Sequence, residues 1–245
     1  MIVKVRHWNK YKNKISALSN KASDALLAWI TSQGGIEMVD SDALVAYAYA
    51  LSKKYGEGAA TLSAMMYDAV AEASNAAVPM AIVADTATYS EVAKTINGIL
   101  KVSGNEDYIS SSAGRLVKQA AADTTMQNAC RDGAEFAWIS VGDTCAFCEL
   151  LASNGWKKAG KNTLNGTHAE HIHANCDCEY AIRFDHTTTV EGYEPKKMYS
   201  DLMDTGENNW HDRVNALRRE KYAENKDEIN EQKRIAYAKR TEDEA

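Results

Sequence analysis

Apolar residues recur at spacings of three and four through the first half of the chain, and this period predicts a series of helices. Trp8, Tyr11, Ile15, Leu18, Ala22, Leu26 and Trp29 form one stripe, so residues 8 to 32 are expected to be helical, with Gly34-Gly35 closing the helix. Lys10, Lys12, Lys14 and Lys21 lie mostly off that stripe, which reads as the solvated back of a core-facing helix. Asp40-Ser41-Asp42 offers an N-cap for a second helix through Leu51, which Tyr55-Gly56 and Gly58 are expected to break. A third is expected from Ala59 to Ala76, with Leu62, Met65, Met66, Ala69, Val70 and Ala73 facing inward and Pro79 as a stop. A fourth runs from Ser90 to Val102 on Val92, Ile96, Ile99 and Leu100, closed by Gly104. A fifth spans Ser112 to Cys130, with Leu116, Val117, Ala120 and Ala121 on one side.

The period changes after Gly133. Phe136 to Val141 reads as a strand, and Tyr180, Ile182 and Phe184 alternate with Ala181 and Arg183 in a second strand placed to pair with it. Between them a short helix is expected from Glu149 to Gly155 with Trp156 packed under it, and Asn165-Gly166 marks a turn. From Val190 apolar residues thin out. Residues 212 to 244 carry dense mixed charge with few favourable pairs four apart. They read as a solvated helix that docks on a partner or stays mobile, with a disordered tail as the alternative. The fold class is α+β, mostly α: a helical domain over 1–133, a small α+β module over 134–188, and a charged linker and helix or tail over 189–245.

Composition narrows the functional classes. At 245 residues the chain can bury a sizeable core. A formal charge of −6 argues against binding nucleic acid by bulk electrostatics. No apolar run is long enough to span a bilayer, so no membrane partner is expected. The opening residues Met1 to Lys10 lack the apolar core of an export signal, which favours synthesis in a reducing cytosol. There, clustered cysteines point to metal or redox chemistry, not structural disulfides.

Four of the five cysteines fall between residues 145 and 178, as Cys145-Ala-Phe-Cys148 and His173-Ala-Asn-Cys176-Asp-Cys178. A CxxC pair holds two thiolates within reach of one ion, and HxxC does the same with an imidazole and a thiolate. Together they supply the four N/S ligands of a closed tetrahedral zinc site. Cys145, Cys148 and Cys176 are the firmest ligands. His173 and Cys178 compete for the fourth place, since Cys178 lies on the same face of an extended segment as Cys176. A closed shell leaves no position for a reactive water, so the zinc is expected to be structural and the protein not an enzyme.

The rival reading is a zinc-dependent hydrolase, nuclease or nucleobase deaminase. His168-Ala-Glu170 is the HxE of a deaminase, but its CxxC lies upstream and the downstream pair is CxC, the wrong order. Asp185-His186 superficially suits an HNH-type nuclease, though the cysteines bracket the histidines differently. No phosphate-binding glycine loop or nucleophile elbow is present. His186 and His211 are expected at the surface.

The run Asp143-Thr-Cys145-Ala-Phe-Cys148-Glu-Leu-Leu-Ala-Ser-Asn-Gly155-Trp156, followed by His171-Ile-His173-Ala-Asn-Cys176-Asp-Cys178, resembles the tailed-phage minor capsid proteins of the Mu F-like head morphogenesis family. The likeness is specific over about residues 135 to 185 and looser in the preceding helices and around Asn225 to Tyr237. It implies a low-copy virion protein in the head interior or neck, made in the host bacterial cytoplasm. That protein would act in head assembly or genome delivery beside the phage portal or major capsid protein. Where the family has Pro after the motif's His and a basic residue between the last cysteines, this chain has Ala174 and Asp177. Contact with packaged DNA is therefore expected to be weak at most.

Overall fold

The computed structural model describes residues 2–3, 5–139, 146–160 and 178–243. The chain divides into two compact units, one of Met1–Thr144 with Gly155–Tyr193 and one of Cys145–Asn154 with Glu194–Ala245.

The first unit is built on four helices: α1 (Val5–Ser32), α2 (Ser41–Ala73), α3 (Tyr89–Val102) and α4 (Glu106–Asp132). On α1 the buried stripe is Trp8, Tyr11, Ile15, Ser19, Ala22, Leu26 and Ile30, with Leu18 and Trp29 half-buried on its flank. Asp40 caps α2 by accepting from the Ala43 N–H at 2.9 Å. Contrary to the expected break, α2 runs unbroken for 33 residues. Gly56 is no breaker: a Cβ there would lie 3.0 Å from Thr86 Cγ2 and 3.6 Å from Ala120 Cβ, so the glycine admits neighbours at close range. Val70 faces inward as expected, but the rest of the buried face is phased differently: Ala59, Ala60, Ser63, Ala64, Tyr67 and Ala71 face inward, while Met65, Ala69 and Ala73 are exposed.

Thr88 and Glu91 form a capping box at the start of α3, and Gly104 (φ 56°) follows its end. α4 begins six residues earlier than the sequence suggests. Asn105 accepts from the Tyr108 N–H at 3.1 Å, and the run Ser110-Ser111-Ser112 continues the helix with hydroxyls bonded back to carbonyls three residues earlier. Gly133 (φ 64°) ends α4 and turns the chain directly into a strand.

That strand, β2 (Glu135–Ile139), is the centre of an antiparallel sheet between β3 (Lys157–Lys158) and β4 (Glu179–Arg183). The expected pairing of the two longer strands is present, in the register Phe136 with Ile182 and Trp138 with Tyr180. β3 was not foreseen. Separately, β1 (Ile2–Val3) pairs in parallel with β5 (Thr189–Val190). The sheet packs onto the helices through Tyr67, Val70, Ala129, Ala134, Ala159 and Ile182, with Phe136 and Phe184 at the margin.

The second unit contains α5 (Ala146–Ser153), α6 (Pro195–Asp204) and α7 (Trp210–Asp243). Its buried apolar residues, among those described, are Cys148, Ala152, Leu202 and Val214. α5 opens three residues before the expected start, and α6, opened by Pro195 in its first turn, was not anticipated. The charged segment is a helix, α7, rather than a disordered tail. No described helix is long and apolar enough to cross a membrane.

Candidate functional site

The strands that lead into and out of the cysteine-rich stretch carry a tight aromatic group. Trp138 meets Tyr180 edge-on at 4.4 Å between ring centroids, and Phe136 meets the same ring at 5.8 Å. Cys178 directly precedes β4 and is 3% exposed. Cys148, on α5, is fully buried. Of the other candidate ligands, Cys145, His173 and Cys176 lie outside the described residues, as do Asn165-Gly166, His168 and Glu170. Among the described residues no three or more His, Cys, Asp or Glu side chains gather as a metal would require. Cys148 and Cys178 belong to different compact units, and each is a sulfur donor of the kind zinc takes. A buried sulfur holds its thiolate form only when a cation or metal stabilises the charge.

Next to β4, Arg183 organises the far edge of the sheet. Its Nε donates to Glu135 Oε2 at 2.6 Å across the strand pair, and its Nη1 donates to the carbonyls of His186 and Thr188. Its guanidinium lies 4.6 Å from the centre of the Trp156 ring, which in turn meets Tyr193 edge-on. Trp156, expected beneath the short helix, is thus held by Arg183 and Tyr193. Burial pushes the Tyr193 hydroxyl up to about 12.

Asp185, one half of the nuclease-like pair, is committed to its own turn. One oxygen accepts from the Thr187 N–H and hydroxyl and the Thr188 N–H, the other from the Thr188 hydroxyl, at 2.6 to 2.8 Å. The threonine hydroxyls hold its carboxyl well below the usual range. His186 is strongly exposed, with Nδ1 3.2 Å from Glu135 Oε1. His211 is likewise exposed and lies against Asn215.

Sequence reading missed a second arrangement, in the segment between α2 and α3. Residues 76 to 88 run without regular structure over α2 and α4. Side chains of α4 hold this strap by its main chain. Arg131 donates to the carbonyls of Pro79 and Met80, Asn128 pairs with both the N–H and C=O of Ile82 at 2.8 Å, and Thr124 accepts from the Ala84 N–H at 3.1 Å. Asp68 of α2 accepts from the Ala81 N–H at 2.7 Å. The only signal in the sequence was the spacing of Thr124, Asn128 and Arg131 along one helical face.

A family model described as VG15 protein matches residues 2–205. No curated protein and no solved structure matches the chain.

Proposed function

The chain belongs to the VG15 protein family, a viral family, and from that premise we propose that this phage protein is a non-enzymatic minor component of the virion head. The family match, which runs through both the helical region and the cysteine-rich stretch, supports a phage protein. The resemblance of residues 143 to 178 to Mu F-like head morphogenesis proteins supports the finer role: a low-copy protein in the head interior or neck, contacting the portal or the major capsid protein. The net charge of −6 argues against binding packaged DNA by bulk electrostatics.

Four of Cys145, Cys148, His173, Cys176 and Cys178 hold one structural zinc in this reading. The CxxC and HxxCxC spacings support that assignment. When bound, the zinc contributes folding free energy, with no open position for catalysis.

An amber mutation in the gene tests the role. Non-permissive lysates viewed by electron microscopy should contain normal tails and defective or poorly infectious heads. Normal, fully infectious particles would reject it. Nuclease and deaminase assays of purified protein address the rival enzyme: activity lost in Glu170→Gln with the fold intact would establish it.

A further inference from the structure

We draw no further inference here: the strongest candidate, the open groove of the second unit that Glu149, Asp201, Asp204, Glu220 and Glu224 line between α6 and α7, is a cluster of carboxylates, and nothing in the structure shows what covers it.

Discussion

Gly114 sits where α4 passes over α1. A Cβ at this position would fall 2.4 Å from Ser23 Oγ, 2.7 Å from Ser19 Oγ and 2.9 Å from the Ser19 carbonyl oxygen. The two hydroxyls can rotate away; the carbonyl belongs to a helix and cannot. Gly114→Ala gains about 1 kcal/mol of helix propensity and meets an overpacking cost of about 1–3 kcal/mol. A net loss is expected, visible as a lower thermal midpoint, and a stabilised variant would show that the helices separate easily. Nothing in the sequence distinguishes this glycine from a weak point in a helix, because the reason for it lies on another element. Asp132 is a second case. It accepts from the Tyr67 hydroxyl at 2.7 Å and from both Nε and Nη2 of Arg131. The Arg131 contacts hold its carboxyl below the usual range. A folded-state value below the unfolded ~3.9 means that the stabilisation is complete above that value and is lost as pH falls through the folded one. Asp132→Asn should therefore be less stable than wild type at pH 7, with the gap closing as pH drops below 4. A gap of constant size in denaturant titrations at pH 7 and pH 3 would show that the charge plays no part.

Among the elements, the strap depends on single side chains. Asn128 is 2% exposed and satisfies both main-chain groups of Ile82. Asn128→Ala leaves those groups without their partner and should cost about 2 kcal/mol. Amide exchange should quicken at Ala81, Ile82 and Ala84, while the interiors of α2 and α4 keep their protection. Unchanged exchange would mean that apolar contact alone holds the strap. Elements that carry their own period were legible in the sequence. The stripe of α1 and the alternation of Tyr180, Ile182 and Phe184 led directly to a helix and a paired strand. Elements decided by distant contacts were not. Gly56 reads as a break until Thr86 is seen against it, and Met65, expected inward beside Val70, is exposed while Tyr67 and Ala71 join Val70 on the buried face. The Ser110-Ser111-Ser112 run hid the first turns of α4, since serines favour caps and turns over helix interiors. Of the proposed ligand set, the spacing of five residues was legible, and the structure adds the burial of Cys148 and Cys178 alone.

For the whole molecule, the zinc proposal makes a local and a global statement. Purified protein should carry about one zinc per chain, and Cys148→Ser should lose it. The helices of the first unit bury their own stripes, from Ile15 and Leu26 to Val117 and Met126, and should remain folded in that variant. Metal analysis that finds no zinc under reducing conditions would remove the metal from the reading. It would leave the family membership standing, because that rests on the match over residues 2–205. The head role has its own direct measurement: quantitative mass spectrometry of gradient-purified virions of the phage that encodes this chain. The expected result is peptides from across residues 1–245 at a small fraction of the abundance of the major capsid protein, retained after high-salt washing. A chain abundant in the infected-cell lysate but absent from purified virions would contradict a structural role in the head.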